Sequence, residues 1–468
     1  MEIRTRFAPS PTGALHIGGA RTALFNYLFA KSMKGKFFLR IEDTDLKRSD
    51  STLSEKIIND IKWLNISWDE EIVFQRQNLN EHKKAINILL EKGFAFRCYS
   101  SKQDLRKGNI DTNGIPAHVF RSPWREQIVK EDHAEQHVIR FKVPNKSSRI
   151  SFVDKVRGEL SWDLGTIEDF VIARSDGSST YNLAVVVDDH NMQISHVIRG
   201  EDHLTNTVKQ LLVYQALDWR PPVFAHIPLI HNERGEKLSK RDGKSNLHEF
   251  KQEGFSPDAM LNYLARLGWS YKDEEFFSLD QAISWFSLEG IGKSPSRFDI
   301  KKLLNISKKH IASKPENEIY TSLLDYIKIH KNIKLSESNS NDLRRFLPLV
   351  VGRCNSLAEI FEASSFLFEK SKAENKKSVL LDQENKKILF DFLSKIKSAN
   401  PTWDHKTLND LINTYCQENK LKFRDIGVPL RIAITGSTSS PSIAHIMEIL
   451  GKQRTLDILN INVDSIKN

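Results

Sequence analysis

RFAPSPTGALHIGG, residues 6–19, is the stretch that decides how we interpret the fold of this chain. It overlaps the stretch from Ile3 to Ala8, which predicts a strand, and leads into residues 18–33, whose apolar spacing predicts a helix. A proline–glycine turn, a histidine and two glycines connect the two. This order would direct backbone N–H groups and the positive end of the helix dipole at an anion. The stretch therefore predicts a phosphate site at the end of the first strand.

The next elements extend this beginning into a wound sheet. Residues 36–41 predict a second strand that ends in an acidic turn at Glu42, and a helix is predicted from about Ser51. Strand–helix–strand order is typical of a parallel sheet covered by helices, whose ligands lie beyond the carboxyl ends of the strands. The loop at 9–19 and the turn at Glu42 would both emerge there.

Later parts of the chain differ in pattern. From about residue 96, short apolar runs separated by turns predict a mixed α/β insertion. Residues 183–187 predict a strand closed by a turn at 188–190, and 196–199 predict another strand. Helical patterns dominate beyond residue 245, with surface loops or linkers predicted at 338–341 and 370–377. The predicted divisions are 1–95 with 181–243, 96–180, 244–315, 316–375 and 376–468.

A second motif that predicts a phosphate site is the cationic loop KLSKR, residues 237–241. Lys237 and Lys240 are mobile point charges of the kind that stabilise negative charge on a polyphosphate leaving group. Charged loops are more often simply solvated, and a lone histidine such as His16 before two glycines is often only a turn residue. Both motifs together, in this order, predict a shared ATP site and adenylyl transfer, in which His16 donates to a phosphate oxygen.

Side chains at the predicted strand ends favour an amino-acid substrate. Arg6 and Arg199 carry guanidinium groups that can hold a carboxylate through two hydrogen bonds. We interpret them as a site for an amino acid with a side-chain carboxylate. Surface arginines paired with local acids are the alternative. The acidic turn of Glu42, Asp43 and Asp45 is compatible with a metal site, a site for the substrate amine, or a solvated turn.

Composition narrows the class of protein. The chain has 468 residues and a formal net charge of +9, which predicts several domains and modestly favours a polyanionic partner. Three cysteines are too few for a disulfide framework and are typical of a reducing compartment. No run of about eighteen apolar residues and no signal peptide is evident. We expect a cytoplasmic protein without a membrane span.

The motifs resemble those of the bacterial glutamyl-tRNA synthetases, a class I aminoacyl-tRNA synthetase family. Residues 6–19 are similar to the histidine–isoleucine–glycine–histidine signature of that class, and residues 237–241 to its lysine–methionine–serine–lysine–serine signature. Further similar blocks extend the resemblance over essentially the whole chain: residues 40–45, 176–182, 187–189, 197–203, 261–269 and 429–436.

The resemblance implies an α/β Rossmann-like catalytic domain split by an acceptor-stem-binding insertion. A stem-contact segment and an all-α C-terminal anticodon-binding region of two helical subdomains would follow. It also implies a ligase that forms glutamyl-adenylate from L-glutamate and ATP, then transfers the glutamyl group to the terminal adenosine of tRNA(Glu). tRNA(Gln) is a second candidate acceptor, Mg²⁺ would accompany ATP, and the usual form of the family is a monomer.

Site residues follow from the same resemblance. The implied catalytic residues are His16, Lys237 and Lys240. The implied ATP-binding residues are Pro9, Ser10, His16, Gly18, Gly19, Asp202, His203, Lys237 and Lys240. The implied glutamate-binding residues are Arg6, Ala8, Ser10, Glu42, Tyr181 and Arg199.

The chain departs from the family pattern at the zinc motif of the insertion. Many members carry Cys-x-Cys followed by Cys-x-His, whereas here the first pair is Cys98-Tyr99-Ser100 and the region 120–123 holds no thiol. We therefore predict no bound zinc and no metal-ligand residues, with packing in place of the metal. Gly19 and Arg241 replace the final histidine and serine of the two class signatures, which is usual in this family.

Other functions within reach of this scaffold are disfavoured. A glutaminyl enzyme would end in β-barrels rather than helices, and a tRNA-modifying paralogue would be shorter. A non-catalytic tRNA-binding paralogue would have no need of the pyrophosphate contacts predicted for His16, Lys237 and Lys240.

Overall fold

The structure, a computed structural model, describes residues 2–44, 51–100, 119–127, 136–144, 148–238, 245–368 and 381–463. The chain divides into two compact units. The first comprises Met1–Phe250 with Pro257–Leu303, and the second comprises Lys251–Ser256 with Leu304–Asn468. Within the described ranges, no helix has the length and apolar character needed to cross a bilayer.

All strands of the described residues belong to the first unit. They are β1 (Arg4–Phe7), β2 (Lys36–Ile41), β3 (Val73–Phe74), β4 (Ala95–Cys98), β5 (Val138–Phe141), β6 (Arg149–Asp154), β7 (Gly158–Asp163), β8 (Val171–Ala173), β9 (His196–Gly200), β10 (Val223–Ile227), β11 (Ile230–His231) and β12 (Ser296–Arg297).

The α-helices up to residue 313 are α1 (Ile17–Ser32), α2 (Ser51–Trp63), α3 (Leu79–Glu91), α4 (Tyr181–Asn191), α5 (Leu204–Ala216), α6 (Leu247–Gln252), α7 (Pro257–Arg266), α8 (Leu279–Trp285) and α9 (Ile300–Ser313). Those that follow are α10 (Glu316–Tyr326), α11 (Glu337–Val350), α12 (Leu357–Ser364), α13 (Gln383–Ala399), α14 (His405–Glu418), α15 (Phe423–Thr435), α16 (Ile443–Leu450) and α17 (Lys452–Val463).

Two sets of parallel strands meet at β1 and β9. On one side the order is β1-β2-β3, and on the other it is β9-β10-β6, with β7 antiparallel at the edge. The Ser195 N–H donates to the Arg4 carbonyl (2.9 Å), and the Arg4 N–H donates to the Ser195 hydroxyl (2.7 Å), which ties the two sets together. The chain winds outward from β1 and from β9 in opposite directions. Their junction is therefore a topological switch point, where such folds bind ligands.

The hairpin β6–β7 lies within the predicted insertion, residues 96–180, yet β6 pairs with β10. Antiparallel strands β4, β5 and β8 form a separate small sheet of this region. Mixed structure was predicted here, and this much of it is confirmed by the strand pairing. The residue boundaries of the divisions stay predictions.

One prediction about the sheet is wrong. Residues 183–187 form the middle of α4, not a strand, and Asp188 and Asp189 are buried within that helix rather than in a turn. The five residues are all almost completely buried. A helix covered on every side shows no polar face, so its valine-rich run has the same sequence pattern as a buried strand.

The second unit is built around one apolar core. Leu343 and Phe346 of α11, Phe392 of α13, Leu430 of α15 and Met447 of α16 are fully buried in it.

The prediction of a loop at residues 338–341 is wrong. These residues form the first turns of α11, where the Ser336 hydroxyl accepts from the Asn339 N–H (3.2 Å). A serine and asparagine run is therefore a helix start here. The linker predicted at 370–377 lies outside the described residues.

Oxygen and aromatic groups surround Cys98, at the end of β4. Its Sγ lies 3.2 Å from the Ser122 hydroxyl, and the neighbouring Tyr99 ring packs 5.0 Å from Trp124 and 5.1 Å from His137. The absence of zinc at this place stays a prediction.

A buried carboxylate, Asp169, links the strands around this region. One oxygen accepts from Arg121 (3.2 Å), Arg125 (3.0 Å) and the Val143 N–H (3.1 Å), and the other lies 3.4 Å from the Ser122 N–H. The carboxylate is completely buried and both arginines are nearly so. An ionic cluster thus connects three separate segments of the insertion, around Ser122, Val143 and Asp169.

Asp169→Ala is expected to lower the free energy of unfolding by about 3–5 kcal/mol, because Arg121 and Arg125 both lose a fully buried carboxylate partner. Urea unfolding followed by tryptophan fluorescence measures the change. Glu168→Ala is the matched control, since Glu168 forms an exposed ion pair with Lys209 (3.1 Å) worth at most about 1 kcal/mol. Equal losses in the two variants would show that the cluster does not hold the insertion together.

Candidate active site

A cavity of about 520 Å³ opens at the carboxyl ends of β1 and β9, at the switch point between the two strand sets. Every predicted site residue within the described ranges lines it. They are Arg6, Ala8, Pro9, Ser10, His16, Gly18, Gly19, Glu42, Tyr181, Arg199, Asp202, His203 and Lys237. Lys240, predicted to be catalytic, lies outside the described residues.

His16 caps the amino end of α1. Its backbone is extended (φ −76°, ψ 149°), and its Nδ1 accepts from the Gly18 N–H (3.2 Å). A neutral imidazole whose Nδ1 accepts carries its proton on Nε2. The cap therefore fixes the tautomer of the neutral ring, with the proton on Nε2.

The backbone amides at the start of α1 differ from the expectation that they would face an anion. The Ile17 N–H donates to the Ser245 carbonyl (2.9 Å), and the Gly18 N–H is taken by His16. These two donors are therefore already used by the protein. The positive end of the helix dipole remains directed at the cavity.

Glycine is favoured at positions 18 and 19 for different structural reasons. A Cβ on Gly19 would lie 2.9 Å from Leu15 Cδ1, so close packing favours glycine there. A Cβ on Gly18 would meet nothing nearer than His16 Nδ1 at 3.5 Å, an ordinary contact. Both residues line the cavity, and it is at Gly18 that a side chain would restrict a ligand rather than the fold.

Four charged side chains form a buried chain beneath one end of the cavity; we name it the charge ladder. Arg6 donates to both Asp189 oxygens (3.1 and 3.3 Å), Arg40 donates to Asp189 (2.6 Å), and Arg40 also donates to Glu42 (3.2 Å). All four are less than a tenth exposed. The ends of the ladder, Arg6 and Glu42, line the cavity, whereas Asp189 and Arg40 do not.

Burial and charge act in opposite directions on the two carboxylates of the ladder. Burial would raise the pKa of Asp189, but the guanidinium groups of Arg6 and Arg40 bring that pKa below its ordinary value. Burial raises the pKa of Glu42 despite Arg40 and Arg6. Asp189 is therefore the firmly ionised member, and Glu42 is the member whose charge an additional cation would stabilise.

Arg199, at the end of β9, is held by a second polar network. Its Nε donates to His226 Nε2 (3.2 Å), and its Nη2 donates to the Thr207 hydroxyl (2.6 Å) and to Gln210 (2.9 Å). His226 Nδ1–H in turn donates to Asp154 of β6 (2.6 Å). Burial lowers the pKa of His226 even beside that carboxylate, so the ring is neutral and its Nε2 can accept from Arg199.

Tyr181 and His203 complete this side of the cavity. The Tyr181 hydroxyl lies 3.5 Å from Arg199 Nη1 and 3.2 Å from His203 Nδ1. Burial, together with the charge of Arg199, lowers the pKa of His203 to about 4. His203 is therefore neutral near pH 7 and adds no charge of its own.

Lys237, the first lysine of the predicted loop, donates to Asp202 (3.0 Å) across the cavity mouth. Burial alone would raise the pKa of Asp202, but the hydrogen bond from Lys237 lowers it. Both side chains are more than two-fifths exposed, so the pair is solvated and easily exchanged for another partner.

Sequence reasoning missed the groups that orient the predicted residues, namely Arg40, Asp189, Asp154 and His226. Asp189 had been placed in a turn, because its helix was interpreted as a strand. Asp154 lies in the insertion, and nothing in the sequence predicts that β6 pairs with β10.

Comparisons with known proteins agree with this geometry. A family model described as "tRNA synthetases class I (E and Q), catalytic domain" matches residues 2–305, and one described as "Anticodon binding domain" matches residues 318–461. A curated glutamate–tRNA ligase of Pelagibacter ubique is 41% identical over 458 residues and 97% of each chain. Glutamate–tRNA ligase 2 of Anaplasma phagocytophilum is 41% identical over 462 residues and 98% of each chain.

Solved structures give the same result for the fold. The glutamate-tRNA synthetase of Elizabethkingia anophelis superposes with a TM-score of 0.80 at 26% identity, covering 99% of this chain and 100% of that one. The expected architecture, a class I α/β catalytic region followed by a helical anticodon-binding region, is confirmed. The matched models and the nearly full-length relatives show that the chain belongs to the glutamate–tRNA ligases of the class I tRNA synthetase family.

Proposed function

We propose that the cavity activates L-glutamate with ATP and that the protein then transfers the glutamyl group to tRNA(Glu). One observation carries the proposal: His16 and Lys237, from motifs more than two hundred residues apart, line one cavity together with Arg6, Glu42 and Arg199. In the first step a carboxylate oxygen of glutamate attacks the α-phosphorus and pyrophosphate leaves. In the second, the terminal adenosine hydroxyl attacks the glutamyl carbonyl and AMP leaves.

The nucleotide would lie along the start of α1. His16, with its proton on Nε2, is suited to donate to an oxygen of the α-phosphate as negative charge develops there. Pro9, Ser10, Gly18 and Gly19 would form the floor beneath ATP. Asp202 and His203 would contact it from the β9 side.

Lys237 would leave Asp202 for the triphosphate, because a polyphosphate carries more negative charge than one solvated carboxylate. Lys240 is proposed to assist on the same loop. Mg²⁺ would supply charge neutralisation on the triphosphate when bound. Glu42 keeps its cationic partner, Arg40, so we do not assign it to Mg²⁺, and we expect phosphate oxygens and water to hold the ion.

Glutamate fits the charges at the other end. The substrate has two carboxylates and one ammonium group, and this end of the cavity presents two guanidinium groups, Arg6 and Arg199, and one carboxylate, Glu42. Burial raises the pKa of Glu42, which disfavours its ionised form. An ammonium group beside Glu42 would stabilise that ionised form. Ala8, Ser10 and Tyr181 would complete the contacts.

We also propose a monomer that works in a reducing compartment such as the cytoplasm. The three cysteines are buried and unpaired, which supports a reducing compartment.

For the tRNA that accepts the glutamyl group we propose tRNA(Glu). Aminoacylation of purified tRNA(Glu) and tRNA(Gln) in parallel measures whether the second is charged as well.

ATP–pyrophosphate exchange, measured with glutamate in the presence and absence of tRNA, tests the activation step. Exchange that depends on glutamate in either condition is the expected result. No exchange in both would favour a protein that binds tRNA without activating an amino acid.

Lys237→Ala and Lys240→Ala should each remove roughly 2–4 kcal/mol of transition-state stabilisation, seen mainly as a lower kcat in the exchange assay with tRNA. Lys36→Ala is the control, because Lys36 pairs on the surface with Glu70 (3.0 Å) and does not line the cavity. An unchanged kcat in both loop variants would contradict the assignment.

Asp189→Asn should raise the KM for glutamate roughly 10- to 100-fold while changing the KM for ATP much less, because Arg6 loses the ionised partner that orients it. Asp188→Asn is the matched control. Asp188 is the adjacent buried carboxylate, but it accepts from Gln75 (2.8 Å), Asn78 (2.8 Å) and His82 (3.0 Å). If the control raises the glutamate KM equally, Asp189 has only a general structural role.

A further inference from the structure

Two helices of the second unit bring together three side chains of the types that can ligate a metal ion. His405 is the first residue of α14, and His445 and Glu448 lie on one face of α16, three residues apart. Their potential ligand atoms all lie within 4.8 Å of one another. The two imidazole rings stack with centroids 3.9 Å apart, and His405 Nδ1 lies 3.6 Å from a Glu448 oxygen. We name these three residues the His405 cluster.

The helices beneath the cluster are firmly placed. The residues around His445 and Glu448 on α16, Ile446, Met447 and Ile449, are buried in the core of the second unit. The Trp403 indole N–H, two residues before His405, donates to the Met447 carbonyl (2.8 Å). The start of α14 is fixed in turn, since the Asp404 side chain accepts from the Thr407 N–H (2.9 Å). The backbone therefore holds the three side chains near each other without any ligand.

The side chains themselves keep freedom to adjust. His405 is about half exposed (51%) and Glu448 is 28% exposed. Ligand atoms around a tetrahedral zinc are separated by about 3.3 Å, as bond lengths near 2.0–2.1 Å require. The exposed His405 and the partly exposed Glu448 are the side chains whose rotation would close the gap from 4.8 Å.

We propose that the His405 cluster is a binding site for one divalent transition-metal ion of the zinc type, which bridges α14 and α16. Two imidazoles and one carboxylate are a ligand set that zinc accepts, with water in the fourth position. Two nitrogen donors disfavour Mg²⁺ and Ca²⁺, which prefer all-oxygen sites. The neighbouring carboxylate of Asp404 adds negative charge close to His405.

This proposal differs from the prediction that the chain has no metal-ligand residues, which stays untested. The zinc motif considered in the sequence is that of the insertion, around Cys98. The His405 cluster is a separate donor set in the second unit, and its members lie up to 43 residues apart, in no recognisable spacing motif. Its role would be to stabilise the helical unit, independently of glutamate activation.

The test is a zinc titration of the full chain against a chromophoric zinc indicator, on wild type, His445→Gln and Glu448→Gln. His248→Gln is the matched control, since His248 is an exposed histidine of α6 outside the cluster. We expect one equivalent bound by wild type and by His248→Gln, with at least ten-fold weaker binding in both cluster variants. Circular dichroism and glutamate-dependent exchange are expected to be unchanged, which would show that the variants fold.

Thermal unfolding gives a second measurement. At a free zinc concentration a hundred-fold above Kd, Tm of wild type should rise by roughly 5 °C, and Tm of His445→Gln should not rise. Equal zinc affinity in wild type and His445→Gln would overturn the proposal, as would binding too weak to compete with the indicator. Binding of Mg²⁺ in preference to Zn²⁺ would also overturn it.

Discussion

The ionised, buried carboxylate of Asp189 is the group on which the rest of the catalytic unit depends. It joins Arg6 of β1 to Arg40 of β2, and it reaches both from α4. A single buried charge costs several kcal/mol, and removing one partner of a buried pair leaves that cost uncompensated. The charge ladder alternates in sign and sums to zero, so it is tolerable only when complete. Its geometry therefore fixes the first two strands against α4.

The ladder also explains how two opposite charges can stand side by side at one end of the cavity. Its inner members are hidden, and only the ends, Arg6 and Glu42, face the ligand space. Without the inner pair, Arg6 and Glu42 would be free to neutralise each other. Asp189 instead holds Arg6, and Arg40 holds Glu42. For a zwitterionic substrate, that arrangement offers a cation and an anion already in place, which reduces the cost of ordering them on binding.

Much of this could be predicted from the sequence, and the exceptions have a physical reason. β1, α1 and β2 follow from local patterns, and the loops after the strands are where such a sheet binds ligands. Several cavity-lining residues, such as Tyr181, Asp202 and His203, came only from the family resemblance. α4 could not be recognised, since a helix buried on all sides has no periodicity to detect. The partners in the ladder lie up to 183 residues apart, and pairing over such separations leaves no local signal. The same holds for the His405 cluster.

Arg199 shows how far the support of the site extends. The last link of its network is Asp154, on a strand that the sequence pattern places in the insertion. Because β6 pairs with β10, a carboxylate from that region reaches Arg199 through His226. The neutral state of His226 is what makes the link work, since a protonated ring would present a donor where Arg199 needs an acceptor. The hairpin that interrupts the catalytic strands in sequence is thus part of what orients a substrate-facing arginine.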